Sequence, residues 1–220
     1  MTKGIAFFDV DETLLAEKSM LSFWKFWVRR QSFQAAQPRT SGADRAQLNR
    51  EYFRLFAGVS SAALEQAAWD WYAEYRQGDT AFLMDALQEL DGHRQAGRDV
   101  LLVSGSSPVL LAPVAQDVGA DGILATEQIV DSQGVLTGEV RQPMIGPAKQ
   151  SAVTTLLRDR GVDARGCFAY GDDSSDLPLL SLVGTPVVVG GDPVLGEQVR
   201  SAGWRRLPAR PGPRRQRAPS

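Results

Sequence analysis

From about residue 80 to residue 201 the chain alternates short apolar runs with longer segments of helical period, and this alternation restricts the fold more than any other feature. The spacing predicts helix 81–96, strand 99–104, helix 107–118, a short strand 122–126, helix 148–160, strand 166–171, helix 175–182, strand 186–190 and helix 193–201. A hairpin is expected over about 128–140, turning at Asp131-Ser132-Gln133-Gly134. Strand and helix in turn predict an α/β protein built on a parallel sheet with right-handed crossovers. Ligands of such sheets bind beyond the carboxyl ends of the strands, so the residues just after each strand are the ones to inspect.

A further strand opens the chain, where Gly4-Ile5-Ala6-Phe7-Phe8 runs into Asp9-Val10-Asp11-Glu12-Thr13. Positions i and i+2 project to one side of a strand, so Asp9 and Asp11 face the same way. Two ionised carboxylates that close raise each other's pKa unless a cation lies between them, which points to a hard metal such as Mg²⁺. The same residues would serve equally as an N-cap or turn cluster, and on their own they leave both readings open. The strand at 99–104 ends in Ser104-Gly105-Ser106-Ser107, before a helix that Pro108 can open. A hydroxyl, a glycine and free N–H groups at a helix N-terminus make a phosphate cradle, although such turns also cap helices routinely. Lys149 stands near the start of the helix after Pro147, where a solvated surface charge is the ordinary role. Finally, Cys167-Phe168-Ala169-Tyr170 runs into Gly171-Asp172-Asp173-Ser174-Ser175-Asp176. This acid cluster again calls for a cation, with acid enrichment at a helix start as the structural alternative.

Between the first strand and residue 80 the pattern is helical. Met20, Phe23, Trp24, Trp27 and Val28 recur at helical spacing after Ser19, which is placed to cap the start. A Gln/Pro/Ser/Gly-rich stretch over 34–42 interrupts, and helix is expected again over about 43–57 and 60–77. The aromatic run is expected in core packing or on a substrate-facing wall; Lys25 within it and the lack of a basic face argue against a membrane anchor.

With 220 residues, 43% hydrophobic and 23% charged, the chain can bury a full core and lies outside the disordered class. No stretch approaches the ~20 apolar residues that span a bilayer, and no basic start followed by an apolar run is present, so a soluble protein is expected. The single cysteine, Cys167, cannot form an internal disulfide and reads as a buried thiol in a reducing cytoplasm. Heavy use of alanine, arginine and glycine hints at a GC-rich bacterial genome. The net charge of −2 hides an asymmetry: residues 205–220 carry six arginines and no acid, and without them the body stands at −8. This Pro/Arg-rich end is expected to be a disordered, dispensable tail; nucleic acid or anionic lipid would meet it by charge alone, and no nucleic-acid partner is expected. His93, the only histidine, falls near a helix end away from every motif and is expected at the surface. Oligomeric state is not legible.

Each of the four post-strand signals has an ordinary explanation, but all four would have to coincide at one sheet edge. Acid pair, hydroxyl with glycine, lysine and second acid cluster, in that order, match the four signature motifs of the haloacid dehalogenase superfamily, which the chain resembles over roughly residues 4–200. Thr13-Leu14-Leu15, the aromatic helix and the Leu136-Thr137-Gly138-Glu139 hairpin bring it closer to the phosphoserine-phosphatase-like branch. The resemblance implies a Rossmann-like three-layer α/β/α core over 1–15 and 80–204, with a small helical cap of type C1 inserted over 16–79.

It also implies Mg²⁺-dependent hydrolysis of a small-molecule phosphomonoester. By the resemblance, Asp9 attacks phosphorus to form an aspartyl-phosphate, and Asp11 acts first as acid and then as base. Ser104 and the Gly105 N–H hold a phosphoryl oxygen, and Lys149 neutralises charge. Asp9, the backbone carbonyl of Asp11 and Asp172 hold the metal; Asp176 and Ser175 support that shell or orient Lys149, and Asp173 is a bystander. Where phosphoserine enzymes usually carry a glutamate after the first motif, this chain has Lys18 beside Glu17, which favours an acidic or hydroxyl-bearing substrate over an ammonium. Trp24 and Trp27 would flank a larger or partly apolar molecule, and Arg54 or Arg50 would clamp a carboxylate. Rival readings are a phosphomutase or phosphotransferase of the same superfamily and, from another class, a non-enzymatic phospho-acceptor module, which would need neither the cap nor Asp11.

Overall fold

The computed structural model describes residues 4–31, 37–41 and 44–214. In chain order the elements are β1 (Ala6–Phe8), α1 (Ser19–Gln31), α2 (Arg45–Arg54), α3 (Ser61–Tyr75), β2 (Phe82–Leu83), α4 (Met84–Gln95), β3 (Val100–Ser104), α5 (Pro108–Val118) and β4 (Gly122–Ala125). They continue with β5 (Gln128–Val130), β6 (Leu136–Val140), α6 (Pro147–Arg160), β7 (Phe168–Gly171), α7 (Leu177–Leu180), β8 (Thr185–Val189), α8 (Pro193–Ala202), β9 (Arg205–Leu207) and β10 (Pro211–Gly212). The alternating pattern therefore yields the expected elements, with two local differences. The run predicted as one helix from 81 begins as the short strand β2, and the predicted helix 175–182 is a 3₁₀ turn (Ser174–Asp176) leading into α7.

The central sheet has the order β4-β3-β1-β7-β8-β9, and all its pairs are parallel. In β1 every residue is buried, as is every residue of β3, because a central parallel strand is covered on both faces and tolerates no polar alternation. The chain runs outward from β1 to β3 and β4 on one side and to β7, β8 and β9 on the other. The connections thus leave β1 in opposite directions, which opens a crevice at its carboxyl end where the ligand of an open α/β sheet sits.

Helices α1, α2 and α3 form a cap inserted between β1 and β2. Phe23, Trp24, Trp27, Tyr52, Phe56 and Trp71 meet there mostly edge-to-face, with ring centroids 5.4–6.5 Å apart for the pairs Trp24–Tyr52, Trp24–Phe56, Trp27–Phe56, Tyr52–Phe56 and Phe23–Trp71. These rings belong to the same buried cluster as Phe8, Leu102 and Val187 of the sheet, so cap and one sheet face share a hydrophobic interior. The other face carries a separate cluster with Phe7, Leu101, Val153, Leu157 and Leu179. Two strands of chain join cap to core: Leu15 bridges Phe82 antiparallel, and the Leu83 N–H donates to the Leu14 carbonyl at 2.9 Å.

The Pro/Arg-rich end departs from expectation. Residues 205–207 extend the sheet as β9 against β8, and β10 pairs antiparallel with β2 at the base of the cap. Proline is confined to strand edges because it lacks a donor, and both strands are edge strands. The arginines are paired rather than free: Arg205 with Glu89 at 2.8 Å, Arg210 with Asp85 at 2.5 Å, and Arg214 with Asp117 at 3.1 Å. The reading of a disordered tail thus fails for 205–214, because acids on the core neutralise charges that the sequence presents as an uncompensated block. Residues 215–220 lie outside the described residues.

His93 also departs from expectation. It is buried on the inner face of α4 with Ala86 and Leu90, and its Nε2 lies 2.8 Å from the Tyr170 hydroxyl, which donates to Glu89. Among the described residues, no helix is long and apolar enough to cross a membrane.

Candidate active site

The ends of β1, β3 and β7 and the start of α6 deliver their polar side chains to one rim. Asp9 follows β1, its N–H held by the Tyr170 carbonyl of the neighbouring strand at 2.9 Å. The chain then turns sharply. The N–H groups of Leu14 and Leu15 both reach the Val10 carbonyl at 2.9 Å, and Glu12 takes φ 59°, the only non-glycine at positive φ among the described residues. This turn leaves Asp11 beside α1, where the Ser19 N–H donates to its carboxylate at 2.9 Å, and aims Thr13 at Asp172, to which its hydroxyl donates at 3.0 Å.

Lys149 is buried at the centre, its ammonium donating to Asp9 Oδ1 at 2.6 Å and to Asp176 Oδ1 at 2.7 Å. The surface-charge alternative for this lysine is excluded by its 4% exposure. Asp176 reaches it by folding back over Gly171. A Cβ on that glycine would lie 2.7 Å from the Asp176 Cβ, so the close approach requires glycine. Asp9, Asp172 and Asp176 each offer a carboxylate oxygen within 4.8 Å of the others. An all-oxygen set of hard anionic donors suits Mg²⁺.

The electrostatics carry the same signature. Burial pushes the Asp9 carboxyl well above the usual carboxylate range; Lys149 opposes this, while Asp176, Asp172 and Asp11 add to it. Asp172 is raised to about 7 by burial and by Asp176. Burial also raises Asp11, against the Ser19 hydrogen bonding. For Lys149 burial disfavours the charge, but Asp176 and Asp9 outweigh it and hold the ammonium above its ordinary value. More carboxylate lies here than one lysine neutralises, a surplus that a divalent cation would relieve.

These groups line a cavity of about 200 Å³ together with Ser104, Gly105 and Ser175 from the core and Lys18, Asn49 and Tyr52 from the cap. The candidates Asp9, Asp11, Ser104, Gly105, Lys149, Asp172, Asp176, Ser175 and Lys18 are therefore brought together. Lys18 sits at the exposed rim, 3.5 Å from Glu12.

Trp24, Trp27, Arg54 and Arg50 are not. Trp24 is 4% exposed and packs against Tyr52 and Phe56, because the aromatic stripe of α1 is the cap's own core; Trp27 is buried with it. Arg54 points to the hairpin, 3.2 Å from Glu139, and Arg50 reaches the Val140 carbonyl at 3.4 Å.

The opposite face of α2 supplies what the sequence reading passed over. Arg45 contacts Asp173 at 2.7 Å and Ser175 at 2.9 Å, and Asn49 donates to the Gly105 carbonyl at 2.7 Å. The signal was present in the register: positions 45, 49 and 52 share a helical face with the buried Tyr52. Asp173 is no bystander, since it caps the 3₁₀ turn by accepting from the Ser175 N–H at 2.8 Å and pairs with the cap.

The model of the haloacid dehalogenase-like hydrolases matches residues 6–181. The chain is 33% identical over 216 residues to an inhibition of morphological differentiation protein of Streptomyces azureus, covering 93% of this chain and 78% of that one. It is 31% identical over 217 residues to a phosphoserine phosphatase of Mycobacterium tuberculosis, covering 90% and 68%. Among solved structures, a phospho-aspartyl intermediate analogue of phosphoserine phosphatase superposes with a TM-score of 0.67 at 18% identity, covering 96% of each chain, which shows a common fold. With the acid, hydroxyl, lysine and acid motifs gathered on one rim, the chain belongs to the haloacid dehalogenase-like hydrolases, in their phosphoserine-phosphatase-like branch.

Proposed function

We propose that this hydrolase is a Mg²⁺-dependent phosphatase that cleaves a small-molecule phosphomonoester through an aspartyl-phosphate on Asp9. It is a phosphoric monoester hydrolase, and the observation that supports the reading best is Lys149 held between Asp9 and Asp176 at 2.6 and 2.7 Å, with Asp172 in the same cluster.

Asp9 is the nucleophile. Its Oδ attacks phosphorus, the bond from phosphorus to the ester oxygen breaks, and Asp11 gives its proton to the departing alkoxide. The raised pKa of Asp11 supports the acid role, since the carboxyl must carry a proton before the first step. In the second step a water attacks the phosphorus of the aspartyl-phosphate while Asp11 takes the water's proton, and inorganic phosphate leaves with Asp9 regenerated. The Ser104 hydroxyl and the Gly105 N–H hold a phosphoryl oxygen, and the Lys149 ammonium offsets charge beside the nucleophile. Asp9, Asp172 and the Asp11 carbonyl would hold Mg²⁺, with Asp176 beside them; when bound it offsets negative charge between enzyme and phosphate.

The cavity size suits a small ester, and Lys18 at its rim favours a leaving group that carries an acid or hydroxyl. A phosphate-release screen over phosphorylated amino acids, sugars, polyols and nucleotides, with and without Mg²⁺, tests the reading. Release is expected only with the metal, and Asp9→Asn, nearly isosteric, should abolish it while leaving the thermal transition in place. Wild-type turnover by Asp9→Asn would end the proposal. For Asp11→Asn, phosphoenzyme should accumulate and be seen by intact mass after acid quench.

A further inference from the structure

Of the α2 side chains that line the cavity, none enters the mechanism, and Asn49 is the one that reaches the Ser104–Gly105 loop. Asn49 is 4% exposed, and its carboxamide crosses from cap to core to donate to the Gly105 carbonyl at 2.7 Å. The orientation of the amide is fixed by its partners. Turning it over would set Oδ1 against that carbonyl oxygen, whereas the observed direction also places Nδ2 3.9 Å from the Met20 sulfur. The Gly105 carbonyl receives a second donor, the Thr126 hydroxyl, at 2.8 Å, so one donor from the cap and one from the core pin the same peptide.

That peptide belongs to the phosphate loop. Its N–H, that of Ser106, donates to Ser104 Oγ at 3.1 Å, which occupies an acceptor site of the hydroxyl and leaves its proton to point elsewhere. Gly105 is closely packed: a Cβ there would lie 3.3 Å from Ile145 and 3.6 Å from Asn49 Nδ2. One turn earlier on the same helix face, Arg45 holds Asp173 and Ser175 of the acid loop. Two loops that carry the chemistry are thus gripped by one face of one cap helix.

We propose that Asn49 is a positioning residue, which sets the Ser104–Gly105 loop through the Gly105 carbonyl only when the cap is seated on the core. The inference rests on the phosphatase reading for its kinetic part alone. Asn49→Leu keeps the volume and removes the donor. With p-nitrophenyl phosphate as probe, its kcat should fall about tenfold, the effect of one hydrogen bond to a group that must be in place at the transition state. Arg50→Met, on the other side of the same helix, should keep the wild-type kcat.

Hydrogen exchange over 104–107, measured without substrate, should be faster in Asn49→Leu than in wild type, a change that loss of packing elsewhere in the cap would not produce. Asn49→Ser, too short to reach Gly105, should give the same pair of results and serves if the leucine variant does not fold. Unchanged exchange over 104–107 together with wild-type kcat would overturn the role. If the wild-type protein releases no phosphate, the functional reading fails separately, and exchange still decides: faster exchange supports the clamp, unchanged exchange refutes it.

Discussion

Replacing Lys149 by methionine removes the only cation that touches Asp9 among the described residues and leaves two buried carboxylates, Asp9 and Asp176, facing each other without a countercharge. Lys149 and Asp176 have side chains 6% and 2% exposed and Asp9 7%, so solvent cannot take over the lost charge. Removing one member of a buried ion pair costs about 3–5 kcal/mol, because the remaining charge stays desolvated. For a chain of this length each kcal/mol moves the midpoint by about 2–4 °C, so Lys149→Met should melt roughly 6–20 °C below wild type in metal-free buffer at pH 8. Two further arms isolate the cause. Mg²⁺ should restore part of the loss, since a divalent ion among the same carboxylates supplies the missing charge. Adding Asp176→Asn to Lys149→Met should be less damaging than the sum of the two single changes, because it deletes one of the orphaned charges. Calorimetry or thermal circular dichroism reads all four proteins. A Lys149→Met midpoint equal to wild type, unaffected by Mg²⁺, would refute the account of charge balance at this site.

Three other outcomes follow from other features. Because Asp172 titrates at about 7, a proton competes with metal there; Mg²⁺ affinity by calorimetric titration should weaken from pH 8 to pH 6, and a pH-independent affinity would remove Asp172 from the site. His93 has its pKa lowered by burial and by Arg98, so the unfolded chain binds more protons than the folded one below about pH 6.5. Stability that is full above that pH should be lost as pH falls toward the depressed value, and His93→Gln should flatten this part of the pH–stability curve measured by denaturant unfolding. Truncation after residue 204 removes β9, β10 and three arginine pairs, and should lower the midpoint and speed hydrogen exchange at Phe82 and Leu83, whereas a dispensable tail would leave both unchanged.

The sheet and the polar residues gathered at its rim were legible in the sequence because each rests on local rules. A fully buried parallel strand reads as an apolar run, and the ligand of such a sheet lies beyond its carboxyl end, so the strand pattern placed Asp9, Ser104 and Asp172 at one edge, while the resemblance supplied their roles. Asp11 and Lys149 came with the same pattern. Side chains whose roles depend on a partner far along the chain were not readable in this way. Thr13 sits inside the first motif, yet only contact with Asp172, 159 positions away, shows its part. Arg205, Arg210 and Arg214 look like surplus charge until Glu89, Asp85 and Asp117 are seen beside them. His93 falls near a helix end away from every motif, which suggests the surface, but it lies on the buried face of α4; for Trp24 the core-packing alternative holds and the substrate-facing one does not.

The shared interior of cap and sheet bears on how such an enzyme can be rebuilt. Leu15 and Phe82 mark the natural seam for a chimera, yet Phe23, Trp24 and Trp71 above it and Phe8 and Leu102 below it form one uninterrupted packing unit. A foreign lid grafted at that seam would meet mismatched rings before it met any ligand. Transplants should therefore carry the underlying sheet-facing residues with them, and diversification by recombination is best confined to positions such as Lys18 and Arg39, whose exposed side chains border the opening.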